Sequence, residues 1–265
     1  SNRKHCIINI DILKDDRFLS LIEKIEKNSV ELSTIATVKS GLKAYEIGKG
    51  DPFQTKEMKD NRVYHSDKKI DDDWFKYIDG DDVKRYSFTW TRGEYLKYGK
   101  NLAAPRSDFG LYSTPRILVR QIPSQPPYCI NSCFTSETFL NDLNSMNIVY
   151  IKCNPLFLLA VLNSRLISFW FEYAFGKFSR GLFPQFKVNE LECFPIPTAS
   201  EQDQSEISEL AKKQIETNTK LNSVTSSRDR EMIEQRIRIL DKQINTKVYQ
   251  LYNLTEDEIR VVEGS

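Results

Sequence analysis

Residues 156–173 are apolar almost all the way round a helix, and they follow Asn154-Pro155, the cap-then-proline pair that opens helices. A segment of this kind has to be buried on every side. Its unbroken apolar run, residues 156–162, is far too short to span a bilayer, so its place is the core of a folded body. The predicted fold class is therefore α+β: a mixed α/β body around a buried central helix, followed by a C-terminal antiparallel helical hairpin.

The rest of the chain is organised around that core. With 265 residues, one large domain plus an appendage fits best. Asp15 or Asp16 caps a short helix that carries Phe18, Leu21, Ile22 and Ile25 on one face and ends near Asn28. Residues 34–38, 88–90 and 117–121 read as strands, and alternation puts Arg116, Leu118 and Arg120 on one face of the last. Residues 40–60, punctuated by Gly41, Gly48, Gly50 and Pro52 and rich in lysine, read as a long surface loop of the sort that carries function. Pro195 and Pro197 make a stiff exit from the globular part.

Beyond residue 199 the pattern turns helical. Ser200 with Asp203, and later Thr255 with Glu258, have capping-box spacing. Ile233, Ile237, Leu240, Ile244, Val248 and Leu251 form a heptad-like stripe, and a short polar turn at residues 225–227 should fold this helix back on the one before it. The expected divisions are residues 1–29, a linker and helix; 30–199, the main domain; and 200–265, the helical hairpin. The chain opens on Ser1 rather than an initiator Met, which reads as an excised piece of a longer protein.

Charge is segregated within a nearly neutral chain of formal charge +1. Residues 83–121 hold Lys84, Arg85, Arg92, Lys97, Lys100, Arg106, Arg116 and Arg120 against only Glu94 and Asp108, interleaved with Tyr86, Phe88, Trp90, Tyr95, Tyr98 and Tyr112. Cations grip phosphates, and flat rings and hydroxyls serve bases, so nucleic acid is the first partner this mixture points to. The same run also fits a solvated strand whose aromatics turn into the core.

Catalytic signatures are weak throughout. Five scattered cysteines (Cys6, Cys129, Cys133, Cys153, Cys193) with no C-x-x-C pair, and only His5 and His65, make no zinc site and read as free thiols in a reducing cytoplasmic setting. Asn154-Pro155-Leu156-Phe157 is one proline short of the adenine-pocket loop of amino-methyltransferases and already has a job starting a helix. Asp51, Glu57 and Lys59 echo the acidic-x-Lys pattern of metal-dependent nucleases but lie in a hydrophilic loop. Asp71-Asp72-Asp73 reads as a solvated like-charge run, and Gly48-Lys49-Gly50 lacks the strand-turn-helix context of a phosphate loop. No residue is assigned a catalytic or metal-binding role.

Four blocks in order, Gly93 to Leu102, Pro115 to Arg120, Leu159 to Leu166 and Phe183 to Pro197, together resemble the TaqI-like C-terminal specificity domain, the target-recognition domain of adenine-N6 DNA methyltransferases and of fused type IIG restriction-modification enzymes. The proline exit with Glu201-Gln202 and a long helix also resembles the end of type I specificity subunits. The resemblance implies a domain that reads a short double-stranded DNA sequence and positions an adenine for a methyltransferase domain lying N-terminal in the parent. No cofactor belongs to this chain; S-adenosylmethionine, and Mg²⁺ if a nuclease is fused, are expected of the parent. Charge and loop character nominate Lys84, Arg85, Arg92, Lys97, Lys100 and Arg106 for phosphates, with Tyr98 beside them, and Arg120, Gln121, Lys177, Arg180 and Gln185 for base edges. The alternative is a protein-interaction module of a restriction-modification complex that dimerises through Ile233, Ile237, Leu240 and Ile244. A third reading is a self-contained nuclease using Asp51, Glu57 and Lys59.

Overall fold

The computed structural model describes residues 16–175, 185 and 187–264. In chain order the elements are α1 (Asp16–Lys27), β1 (Ser29–Glu31), α2 (Leu32–Ile35), β2 (Thr37–Ser40), α3 (Lys56–Asp60), β3 (His65–Ser66), β4 (Trp74–Ile78), β5 (Val83–Lys84), β6 (Ser87–Phe88) and β7 (Tyr95–Lys97). These are followed by α4 (Gly110–Ser113), β8 (Arg116–Arg120), β9 (Ser132–Thr135), β10 (Leu140–Asn141), β11 (Ser145–Val149), α5 (Pro155–Leu162), α6 (Arg165–Phe175), α7 (Val188–Glu192) and β12 (Pro195–Pro197). The chain closes with α8 (Glu201–Ser223), α9 (Ser227–Leu251) and α10 (Glu256–Glu263). The fold is α+β.

The central sheet is antiparallel, in the order β2-β11-β8-β9. Period-two alternation assigns its faces: Val38, Ile117, Val119, Met146 and Ile148 enter the main core, whereas Leu118 and Cys133 point the other way, into a smaller cluster with Ile78, Val83 and Phe139. Both faces are covered, which is why β11 is buried along its whole length. Arg116 lies on the second face and is fully buried, so the face expected to present two arginines is interior at one end. A second sheet, in the order β10-β4-β7-β3, packs Tyr77, Leu96 and Leu140 with Leu42, Leu102 and Tyr112.

The apolar segment is two helices, not one. The Asn154 side chain accepts from the Leu156 and Phe157 N–H groups with Pro155 in the first turn, as its sequence predicts. At Asn163-Ser164 the chain bends by 57°. A tertiary contact fixes the bend: the Asn163 amide accepts from the Ser132 N–H and hydroxyl and donates to the Ser132 carbonyl at 2.9 Å, tying the end of α5 to β9. Among the described residues no single helix is long and apolar enough to cross a membrane. Each large aliphatic side chain buried here contributes roughly 1.5–3 kcal/mol.

Two other expectations give way to tertiary pairing. Residues 34–38 were expected as a strand; the chain there makes the short helix α2 before extending into β2. The Pro195–Pro197 exit is itself a strand, β12, paired with β1 through Val30↔Ile196 in a two-stranded ribbon where proline's missing N–H is tolerated. The Tyr252 hydroxyl donates to the Pro195 carbonyl at 2.6 Å and holds that ribbon against α9.

The core continues across residue 200. Ile207 and Ala211 of α8 and Ile244 and Val248 of α9 belong to the same cluster as Val38 and Ile117. Ser200, Ser226 and Thr255 cap the three C-terminal helices through their side-chain oxygens. The heptad-like stripe is consumed only in part: Leu240 and Ile244 are fully buried and so are closed to a second copy, whereas Ile233 and Ile237 are half-buried. The dimerisation surface expected at Ile233, Ile237, Leu240 and Ile244 is corrected at Leu240 and Ile244, because an amphipathic helix next to a larger apolar body buries its stripe there first.

Candidate nucleic-acid interface

Within the residues 83–121 run, Lys97 and Lys100 are carried by the second sheet and the turn that follows it, while Lys84 lies on the β5-β6 ribbon. Strand β7 pairs with β4 through Trp74↔Lys97 and with β3 through His65↔Leu96, and it leads into a turn ending at Lys100. That turn is stapled to the residue 40–60 loop. The Asp51 N–H donates to the Lys100 carbonyl at 2.8 Å. Gln54, 2% exposed, donates to the carbonyls of Ala44 (2.9 Å) and Asn101 (2.7 Å) and accepts from the Glu46 N–H (2.8 Å). The surface loop is thus pinned from inside by one amide side chain, because a buried amide has to satisfy its donors and acceptor.

The nominated residues divide by what already holds them. Lys84 and Lys100 are exposed and Lys97 half-buried, and among the described residues none is in an ion pair. Arg92 and Arg120 meet Asp79 (2.8 Å) and Asp81 (2.7 Å), pairs near enough to solvent for a phosphate or base to displace the carboxylate at small cost. Arg85 and Arg106 are corrections. Arg85 forms a bidentate pair with Asp241 of α9, and Arg106 donates to the Gly41 carbonyl (3.0 Å) and the Ser40 hydroxyl (2.6 Å). Both guanidinium groups face protein because each meets backbone or carboxylate oxygens that would otherwise stay unpaired. Tyr98 donates to the Arg106 carbonyl at 2.6 Å and packs on Phe109 and Phe75, a structural ring. Gln121 is half-buried and Gln185 exposed; Lys177 and Arg180 lie outside the described residues.

Other lysines of the same region were missed as candidates because they sit among acids. The Glu46 carboxyl is held below its ordinary range first by a hydrogen bond from Lys43 at 2.7 Å, with smaller help from the charges of Lys49 and Lys59. Asp51, Glu57 and Lys59 are exposed, with Glu57 in the first turn of α3, where a carboxylate favours the helix dipole. The Asp71 carboxylate accepts from the Asp73 N–H at 2.8 Å, a turn-capping role.

Behind this surface lies a packed cluster that the sequence did not reveal. Arg62 and Glu94 form a bidentate pair (2.7 and 2.8 Å), and Tyr45 stacks on Tyr64 with rings 5° from parallel. The Tyr45 hydroxyl accepts from the Tyr64 N–H at 2.8 Å and shares a hydrogen bond with His65 Nδ1 at 3.0 Å. At neutral pH His65 is an uncharged imidazole. Burial, then the nearby Arg62 charge, pull its pKa down to about 4. The unfolded chain takes up this proton near the ordinary value of about 6.5. Stability from His65 is complete above that value and is lost as pH falls toward about 4, by ~2 kcal/mol after allowing for partial solvent screening. Asp142, which burial and Asp79 push up to about 6, works in the opposite direction over an overlapping window. Urea denaturation of the parent and His65→Gln between pH 7 and 4.5 isolates the imidazole, since Asp142 is common to both. The variant should show the shallower loss, and parallel curves would contradict the assignment.

Residues 75–196, from β4 to β12, match the TaqI-like C-terminal specificity domain. Among solved structures the chain is similar to the type IIL restriction-modification enzyme MmeI in complex with DNA, with TM-score 0.51 and 10% identity over 89% of this chain and 36% of that one. It is also similar to the HsdS subunit from Thermoanaerobacter tengcongensis (TM-score 0.42, 11% identity, 93% of this chain and 50% of that one) and to a chain of a type I R-M system (TM-score 0.43, 9% identity, 89% and 52%). No curated protein matches. The chain thus spans 36% of the MmeI chain and about half of the other two.

Proposed function

We propose that this chain, whose residues 75–196 match the TaqI-like C-terminal specificity domain, reads double-stranded DNA for a site-specific adenine-N6 methyltransferase or a fused type IIG restriction-modification enzyme. The observation that carries the reading is that match, and the exposed lysines of the same residues support it. In this reading Lys84, Lys97 and Lys100 neutralise phosphates and set register, which gives affinity without sequence information. Base edges fall to side chains with paired donors or a donor and an acceptor: Arg120 once released from Asp81, Gln121 and Gln185, together with Lys177 and Arg180. Methyl transfer and S-adenosylmethionine belong to a methyltransferase domain of the parent protein, which receives the adenine that this domain presents. Mg²⁺ enters only if that parent also cuts DNA.

Fluorescence anisotropy with a labelled duplex tests the proposal. The chain should bind with a Kd in the micromolar range or weaker, and each phosphate contact should contribute about −0.9 to the slope of log K against log salt. Changing Lys84, Lys97 and Lys100 together to alanine should flatten that slope by about 2–3. Absence of binding at low salt, or affinity indifferent to salt, would overturn the reading.

A further inference from the structure

Phe53 is 79% exposed, more than any other large apolar side chain among the described residues, and Ile47 beside it is 58% exposed. Both sit on the loop that Gln54 pins. The Gly48 N–H donates to the Gln54 carbonyl (2.9 Å) and the Gln54 N–H to the Lys49 carbonyl (2.8 Å), closing the loop on itself. Gly48 and Gly50 have φ of +79° and +81°, and a Cβ at Gly50 would come within 2.4 Å of the Asn101 carbonyl oxygen, so the loop lies flush against the turn that follows Lys100. Phe53 is therefore presented on a rigid support beside the proposed DNA-facing lysines.

Two facts select its partner. One ring and one isoleucine are too little apolar surface for a stable protein interface, which needs roughly 1,000 Å² or more, but a single protruding ring has the dimensions of a wedge between stacked bases. The loop is also electrically balanced: Lys43, Lys49, Lys56 and Lys59 stand against Glu46, Asp51, Glu57 and Asp60. Its contribution to a DNA complex must then come from apolar insertion, while Lys97 and Lys100 supply the ionic attraction.

We propose that Phe53 inserts into the duplex as an unstacking wedge, with Ile47 bracing it. This rests on the DNA-reading assignment above and adds a positioning role outside the matched residues 75–196. A wedge of this kind separates neighbouring bases and kinks the duplex.

The experiment uses the full chain and duplexes carrying 2-aminopurine at a central position within randomised flanks. Binding by the unaltered protein should raise 2-aminopurine fluorescence. Phe53→Ala should bind about tenfold more weakly at every salt concentration, with the log K against log salt slope unchanged and the fluorescence rise abolished. Phe53→Trp should restore both. A flattened slope in Phe53→Ala, or binding by the parent with no fluorescence rise, overturns the wedge and leaves the DNA assignment standing. Failure of the parent to bind any duplex removes that assignment, and the wedge with it.

Discussion

Replacing Asp241 with alanine should destabilise the folded chain by about 3–5 kcal/mol, because it strands a buried cation. The Arg85 guanidinium meets both Asp241 oxygens (2.8 and 2.6 Å), donates to the Asn163 carbonyl at 3.0 Å and lies 3.9 Å over the Tyr128 ring. Its side chain is 17% exposed and that of Asp241 9%. Gln214 adds a donor to Asp241 at 2.8 Å. The pair thus fastens α9 and α8 to the β5 region and to the bend between α5 and α6. Urea denaturation of Asp241→Ala, Arg85→Met and the double variant measures the coupling. The double variant should be less damaged than Asp241→Ala, since it leaves no unpaired charge. A loss under about 1 kcal/mol for Asp241→Ala would contradict the buried pair. Below its own melting temperature the double variant should keep the salt slope of DNA binding, because Arg85 faces protein.

The second large effect is expected at Arg116. Its guanidinium is fully buried and donates to the Phe139 carbonyl (2.8 Å), the Glu137 carbonyl (3.0 Å), the Asn147 side-chain oxygen (3.2 Å) and the Thr114 carbonyl (3.4 Å). Burial lowers its pKa to about 10, which leaves it charged at neutral pH. Arg116→Met should cost about 3–4 kcal/mol, mainly from carbonyls left without donors. The damage should concentrate where those carbonyls are, in residues 136–141 that carry the chain from the central sheet to β10 of the second. Hydrogen exchange should therefore accelerate at Leu140 and at its β4 partner Tyr77 before the central sheet loosens. Arg116→Lys should recover only part of the loss, since one ammonium cannot reach four acceptors in a fork. Uniform acceleration across both sheets would count against this local role.

Two of the four blocks that carried the family resemblance contain structural joints, and a third is a buried strand. Residues 159–166 contain Asn163 and Ser164, which bend the core helix onto β9, and residues 183–197 contain β12, which closes the ribbon with β1. Residues 115–120 contain the doubly covered strand β8 (Arg116–Arg120). A joint demands particular residue types at particular spacings, so it shows in sequence even where the surface it supports varies. The candidate interface was legible only in part. Lys84 and Lys100 are exposed and Lys97 is half-buried, whereas Arg85 and Arg106 face protein, and Phe53 carried no sequence signal of exposure. A guanidinium reads the same in sequence whether it meets a phosphate or a carbonyl.

The sequence by itself determined the α+β class, the capped starts of α5, α8 and α10, the folding back of α8 and α9, and the local excess of positive charge. Each of these follows from residues a few positions apart, whose spacing sets hydrogen bonds and apolar faces without help from the rest of the chain. Tertiary structure alone decided that the apolar segment bends at Asn163, that Ile244 and Val248 of the α9 stripe are spent on the main core, and that Arg85, Arg106 and Arg116 face inward. Those outcomes depend on oxygens up to 156 residues away in the chain, and desolvation makes a buried cation stable only where such oxygens converge.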